Sequence, residues 1–252
     1  MAHSITVSIV SHGHGEQVSQ LINQVLSDPL VWQVILTLNT PETLALPDSD
    51  RLVIVHNAHP KGFGANHNAA FEQCKTSLFC VLNPDIVLRE DSLAQLEQAL
   101  SSDQAGLAGP LVLATDGSQE DSWRVFPTLL NLLLKALGKD TTIIRSEADH
   151  ARITPEWVAG MCMLFKADSF RRVNGFDERF FLYYEDVDIC ARLWNANETV
   201  IAAPKSIVVH NAQRASHRNL THMRWHLASM GRYLLRYSLN MPKPARPQQS
   251  SD

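Results

Sequence analysis

The chain has 252 residues, of which 45% are hydrophobic and 19% charged, with a formal net charge of −4. That length allows one large α/β domain or two small ones with a sizeable core. The slight negative charge argues against a nucleic-acid binder, and no apolar run is long enough to span a bilayer.

Four scattered cysteines, Cys74, Cys80, Cys162 and Cys190, form no Cys-x-x-Cys pair. Reduced and mostly buried thiols in a cytoplasmic protein are therefore expected, rather than a disulfide framework. The first residues lack the basic region and long apolar stretch of a signal peptide and enter a strand at once.

Residues 5–10 are β-rich and end in Ser11-His12-Gly13-His14-Gly15, a strand running into a Gly-rich loop. Val18, Leu21, Ile22, Val25 and Leu26 follow at helical spacing. Residues 32–38 and 51–55 read as strands, 66–74 as a helix, and 78–82 as a strand stopped by Asn83-Pro84. A helix over 92–100 has Asp91 as its expected N-cap. Strands alternating with helices imply a mainly parallel sheet covered on both faces, with ligands bound beyond the carboxyl ends of its strands.

From residue 107 the rhythm changes. Residues 107–113 read as a strand, 129–137 as an apolar helix and 139–153 as a polar loop. Residues 157–165 read as a strand in which Gly160 marks a close backbone approach. A helix over 187–195, one or two strands over 200–210 and a final helix over 219–239 complete the pattern, before a Pro/Gln/Ser tail expected to be disordered.

Several stretches could carry chemistry. Asn83-Pro84-Asp85 places a carboxylate in a turn after a buried strand, where it can reach a divalent cation; the same tripeptide also serves as an ordinary turn. Glu185-Asp186-Val187-Asp188 stands at a helix start, where acids either offset the helix dipole or supply a general base. Lys61-Gly62-Phe63-Gly64-Ala65-Asn66-His67-Asn68 is a glycine-bearing loop that suits a phosphate. It is neither Gly-x-Gly-x-x-Gly nor a Walker loop, which counts against dehydrogenases and P-loop NTPases. His210 alone reads as structural, and His12 with His14 is too small a set for a metal site.

Taken in order, Val7-Ser8-Ile9-Val10-Ser11, the Lys61–Asn68 loop, Leu82-Asn83-Pro84-Asp85, Gly160-Met161-Cys162-Met163-Leu164, and Gly175-Phe176-Asp177-Glu178 through to Asp188 resemble the family 2 glycosyltransferases, especially their rhamnosyltransferase-like bacterial branch. The resemblance covers residues 5–240 and implies a GT-A fold of the α/β class, a single Rossmann-like domain with a C-terminal helix. It divides the chain into a nucleotide-binding half (1–106), an acceptor and catalytic half (107–218), the helix at 219–239 and a tail at 241–252.

It further implies an inverting transfer, from a dTDP- or UDP-sugar, of a sugar for which rhamnose is the candidate. The acceptor would be a saccharide or lipid-linked saccharide in bacterial cell-surface polysaccharide synthesis. By the same match Asp186 is the base with Glu185 beside it, and Asp85 and His210 hold Mg²⁺ or Mn²⁺. Ser11, His12, Asn39, Lys61, Gly62, Asn68 and Asn83 line the donor, while Gly160 and Met161 form the floor between donor and acceptor.

Two departures stand out. Leu38 replaces the acid that in the family reads the nucleobase, and Asn83 replaces the first acid of the Asp-x-Asp motif. A non-catalytic sugar-nucleotide-binding module is therefore the alternative; a nucleotidyltransferase ranks last, since residues 11–15 hold no Lys or Arg. In the last helix Met223, Leu227, Met230, Leu234 and Leu235 fall on one stripe, with Arg224, Arg232 and Arg236 elsewhere. Such a helix either lies on the inner face of the plasma membrane or packs on its own domain.

Overall fold

Seven consecutive residues, Ile5–Ser11, are all buried, as befits a strand with neighbours on both edges and layers on both faces. A computed structural model of the chain describes residues 4–102, 104–145, 153–211, 220–238, 240–242 and 244. In chain order its elements are β1 (Ile5–Ser11), α1 (Glu16–Ser27), β2 (Val31–Leu38), β3 (Leu52–His56), α2 (Phe63–Phe71), β4 (Leu78–Leu82), β5 (Ile86–Leu88), α3 (Ser92–Ala99) and β6 (Ala105–Ala114). They continue with β7 (Trp123–Arg124), α4 (Leu129–Ala136), β8 (Trp157–Val158), β9 (Cys162–Lys166), α5 (Ala167–Arg172), α6 (Glu185–Asn195), β10 (Thr199–His210) and α7 (Leu220–Tyr237).

Eight strands form one sheet in the order β3-β2-β1-β4-β9-β6-β10-β5. Strands β1 to β4 run parallel, as do β6 and β10. Strand β9 is antiparallel to β4 and β6, and β5 antiparallel to β10. The chain leaves β1 toward β2 on one side and later returns as β4 on the other, so a crevice opens where the two paths part.

Each sheet face carries its own core. On one face Ile5, Val7, Ile9, Cys80 and Leu82 pack with Val18, Leu21, Ile22, Val25 and Leu26 of α1. On the other, Phe79 and Val81 meet Phe165, Phe170, Phe176, α6 and the inner face of α7. The alternation along β4 follows from the two-residue repeat of a strand. Each fully buried large apolar side chain stabilises the fold by about 1.5–3 kcal/mol before conformational entropy is charged against it.

The structure departs from the sequence reading in several places. Residues 157–165 are not one strand: β8 pairs with β7 in a separate ribbon, and Ala159-Gly160-Met161 turns the chain before β9 joins the main sheet. The Gly160 N–H is spent on Asp186 instead of a ladder. Helix α2 begins three residues earlier than expected. Asp91 caps α3 by position only, with φ 58° and no side-chain cap bond. Within the expected polar loop, residues 146–152 lie outside the described residues.

Helix α7 buries Ser229, Tyr233 and Tyr237, and Met230 and Leu234 are half-buried. Met223, Leu227 and Leu235 are exposed, so the expected stripe splits between core and surface. Of the expected tail, Met241 packs on the core and its Sδ accepts the Tyr233 hydroxyl at 3.3 Å; residues 243 and 245–252 lie outside the described set.

Candidate active site

The carboxyl ends of β1, β2 and β4 and the loop entering α2 enclose a cavity of about 390 Å³. His12, Asn39, Lys61, Asn83 and Asp85, all expected around a donor and its cation, line it. Asn39 is almost fully buried, and its amide is committed: Nδ2 donates to the Lys61 carbonyl at 2.9 Å, and Oδ1 accepts the Lys61 N–H at 2.9 Å. Asn57 donates at 2.6 Å to Asn39 and at 2.7 Å to Asn66, so four residues tie the loop to the end of β2. Lys61 is thereby held by its backbone while its side chain stays exposed.

Asp85 is the acid of this cavity. His210, at the end of β10, donates from Nε2 to Asp85 Oδ2 at 3.1 Å and from Nδ1 to Glu120 Oε2 at 2.9 Å. Burial alone would raise the Asp85 carboxyl, but the hydrogen bond and charge of His210 outweigh it and hold it below the usual carboxylate range. The hydrogen bond to Asp85 in turn lifts His210 to about 9 against its burial, with Glu120 assisting.

Asp85 Oδ1 is buried without a hydrogen-bond partner. That orphaned carboxylate oxygen fits Mg²⁺ or Mn²⁺, and His210 Nε2 could join it only by giving up the proton it donates to Asp85. Among the described residues no group of three or more His, Cys, Asp or Glu converges as a closed metal cage, so the remaining ligands would come from substrate and water.

A second cavity of about 250 Å³ lies against the start of α6, lined by Arg124, Trp157, Tyr184, Glu185, Asp186 and His226 among others. Tyr183 and Tyr184 both adopt left-handed backbone, with φ 69° and 67°, a conformation that costs free energy in a bulky residue. That kink turns the chain into α6 and aims Asp186 at Gly160. Asp186 Oδ2 accepts the Gly160 N–H at 3.0 Å, and Oδ1 accepts the Val187 N–H at 2.8 Å.

Burial raises the Asp186 carboxyl while these N–H groups oppose the rise. Glu185 is pushed well up by burial and then by the charge of Asp186, and its Oε2 has no partner. Two adjacent carboxyls whose surroundings differ in this way suit a base beside a protonated neighbour.

The two cavities share a wall. Met161, next to Gly160, accepts the Asn83 N–H at 2.9 Å. A Cβ placed on Gly160 would lie 3.4 Å from the Phe63 ring of the first cavity and 3.6 Å from Asp186 Cβ of the second. Gly160 and Met161 thus link the turn that bears Asp85 to the helix start that bears Asp186.

Four expected donor residues are placed otherwise. Asn68 points away, accepting the Phe176 N–H at 2.8 Å and donating to the Phe176 carbonyl at 2.9 Å; it staples α2 to the Gly175 turn. Ser11 is fully buried with its Oγ 3.4 Å from His14 Nδ1, bracing the first loop. Gly62 exists for contact: a Cβ there would sit 2.6 Å from the Phe181 carbonyl oxygen, which accepts the Phe63 N–H at 2.9 Å. That bond uses a donor of the α2 N-terminus, so the expected phosphate cradle is partly filled by protein. Met161 contributes its carbonyl to Asn83 and packs its side chain on the core.

Other lining residues escaped the sequence reading. His67, Phe63 and Phe181 wall the first cavity, and His222 and Trp225 reach it from α7. Trp225 lies on Phe181 with ring centroids 4.7 Å apart, and the Tyr183 hydroxyl is 3.1 Å from His222 Nδ1. The signal was present, since residues 222, 225, 226, 229, 233 and 237 recur at helical spacing on a polar and aromatic face. Glu120 lies in an irregular segment with no pattern to flag it.

Comparison with known proteins gives concordant results. A family model described as "Glycosyltransferase like family 2" matches residues 36–227. The chain is 30% identical over 251 residues to the rhamnosyltransferase WbbL of Escherichia coli (strain K12), covering 92% of this chain and 93% of that one. It is 34% identical over 148 residues to the N-acetylglucosaminyl-diphospho-decaprenol L-rhamnosyltransferase of Mycobacterium tuberculosis (strain ATCC 25618 / H37Rv), covering 55% of this chain and 48% of that one.

Among solved structures, GalNAc-T7 with UDP, GalNAc and Mn²⁺ superposes with a TM-score of 0.65 at 13% identity, over 92% of this chain and 47% of that one. The mannosyltransferase PcManGT from Pyrobaculum calidifontis with GDP-Man and Mn²⁺ gives 0.59 at 16% identity, over 90% and 64%.

Proposed function

This chain belongs to the family 2 glycosyltransferases and has a GT-A fold, and we propose that it transfers a sugar, rhamnose first among candidates, from a dTDP- or UDP-linked donor to an acceptor hydroxyl with inversion. The setting is bacterial cell-surface polysaccharide synthesis at the cytoplasmic face of the membrane. The observation that carries this reading is the shared wall, with Gly160 bonded to Asp186 and Met161 bonded to Asn83. This link between the Asp85 turn and the Asp186 helix supports a reading in which the first acid holds a cation and the second acts as base.

In this mechanism Asp186 takes the proton from the acceptor hydroxyl as its oxygen forms the new bond to the anomeric carbon, while the bond from that carbon to the diphosphate oxygen breaks. Asp85, joined by His210 once its Nε2 is deprotonated, would hold Mg²⁺ or Mn²⁺, which would supply positive charge against the leaving diphosphate. Lys61 offers a further cation at the cavity wall. Glu185, whose carboxyl is raised by burial and by the charge of Asp186 and whose Oε2 has no partner, lies beside the base on the acceptor side. Phe63, Phe181 and Trp225 wall the donor cavity with aromatic surface that excludes water, which favours transfer over hydrolysis.

The mycobacterial relative is named for an N-acetylglucosaminyl-diphospho-decaprenol substrate, which supports a saccharide or lipid-linked saccharide as acceptor here. The deciding experiment incubates the chain with Mn²⁺, dTDP- and UDP-sugars and a prenyl-diphosphate-linked N-acetylglucosamine. Nucleoside diphosphate release that requires acceptor and stops with EDTA is expected. Tight donor binding without turnover on any acceptor would instead identify a non-catalytic binding module.

A further inference from the structure

Helix α4 differs from a core helix in one respect: none of its eight residues is buried. Leu129, Leu130 and Leu133, with Leu137 at its end, are 66, 64, 58 and 69% exposed. Sequence periodicity alone would send such a leucine set into a core, and a contiguous apolar surface of this kind marks an interaction site. Across the second cavity, the first turns of α7 expose Leu220, Met223 and Leu227. Both helices border that cavity, α4 through Asn131, Leu132 and Lys135 and α7 through His226, with Glu185 and Asp186 also in its lining. The two apolar surfaces therefore flank the place where the acceptor hydroxyl must arrive.

Charge selects the occupant. The two helices contain Lys135, Arg224, Arg232 and Arg236 and no carboxylate, in a chain whose net charge is −4. Arg236 is engaged by Asp177 and Asp188, and Lys135 by Asp140. Arg224 and Lys139, the latter just beyond α4, are exposed beside the leucines. Leucines flanked by exposed cations are the pattern of an interfacial helix on an anionic bilayer, where acyl chains take the apolar face and headgroups take the cations. Among the described residues no helix is long and apolar enough to cross a membrane, so an in-plane contact is the geometry available to α4.

We propose that α4 and the first turns of α7 form a docking surface for an anionic lipid bilayer, with α4 lying in the interface and its leucines among the acyl chains. The acceptor cavity then stands at the membrane surface, within reach of a headgroup-borne sugar. This deepens the transferase reading by naming the surface that presents the acceptor. Membrane binding does not depend on turnover, so the two can fail separately.

The test is co-sedimentation of the full chain with vesicles of phosphatidylcholine alone or with phosphatidylglycerol added. Wild type is expected to pellet with the anionic vesicles, less so at high salt, and the double variant Leu130→Ser/Leu133→Ser to bind at least about tenfold more weakly. Both leucines are exposed, and circular dichroism verifies that the fold is kept. As a second readout, Leu133→Trp should show a blue-shifted emission on anionic vesicles only. Equal pelleting of wild type and double variant, or none with either vesicle, overturns the proposal. So does a wild-type dimer dispersed by the double substitution, which would assign the face to a second copy.

Discussion

The Gly160 N–H donates to Asp186 Oδ2 at 3.0 Å, fixing the carboxylate against the wall between the two cavities. Asn at position 186 can still accept that bond through its carbonyl oxygen but cannot take a proton. Asp186→Asn should therefore lower kcat by about 10²–10⁴-fold with the fold and donor affinity retained. Steady-state kinetics with calorimetric titration of the donor checks both halves; wild-type turnover in the variant excludes Asp186 as base.

The Asp85–His210–Glu120 chain makes a graded prediction. Asp85→Ala removes a carboxylate with a buried, unpartnered oxygen and should abolish the Mn²⁺-dependent part of donor binding. Glu120→Gln leaves both proposed ligands in place but loosens the ring orientation that the 2.9 Å bond enforces, so Mn²⁺ affinity should fall by about 10–100-fold. Titration of Mn²⁺ in the presence of a nucleoside diphosphate measures this, and donor binding indifferent to EDTA in wild type would remove the metal from the mechanism.

His67 gives the fold an acid-labile term. It is 1% exposed, its Nδ1 lies 2.8 Å from Ser8 Oγ, and burial followed by the charge of His12 pushes it from 6.5 down to about 3. Between those values the unfolded chain binds a proton that the folded chain refuses. Stability is therefore fully present above pH 6.5 and declines by roughly 1.4 kcal/mol per unit as pH falls toward 3. Urea unfolding of wild type and His67→Gln from pH 7 to 4 should give curves that diverge by this slope; parallel curves contradict it.

Gly62→Ala tests how closely the α2 loop and the aromatic run approach. Its new Cβ would meet the Phe181 carbonyl oxygen at 2.6 Å, so backbone must shift on a segment that also carries Tyr183 and Tyr184. A loss of about 1–3 kcal/mol is expected, read as a lower midpoint in thermal unfolding, together with weaker donor binding.

What the sequence disclosed follows from the range of each signal. Strand β4 and its terminal Asn83-Pro84-Asp85 were legible because five buried residues followed by Pro admit little else. The roles proposed for Asp186 and His210 rest on ordered resemblance, since a lone acid or histidine carries no such information. Asn68 was misread because its partner, Phe176, lies 108 residues away, and no local pattern separates a staple from a ligand. Strand β5 has three residues, too few for a period to register. His222, Trp225 and His226 carry no apolar stripe, because the inward face of α7 is polar and aromatic.

Helix α7 is gripped near its carboxyl end, where Tyr237 and Arg236 bond to Asp188 Oδ1 at 2.8 and 3.0 Å, in the first turn of the helix that bears Asp186. Its opposite end supplies Trp225 and His222 to the other cavity. Because one helix reaches both chambers, a ligand seated against Trp225 is expected to steady the segment that carries Asp186. Compulsory-order kinetics, with the nucleotide sugar entering before its co-substrate, is the expected outcome in initial-rate measurements, and random order would contradict the strut.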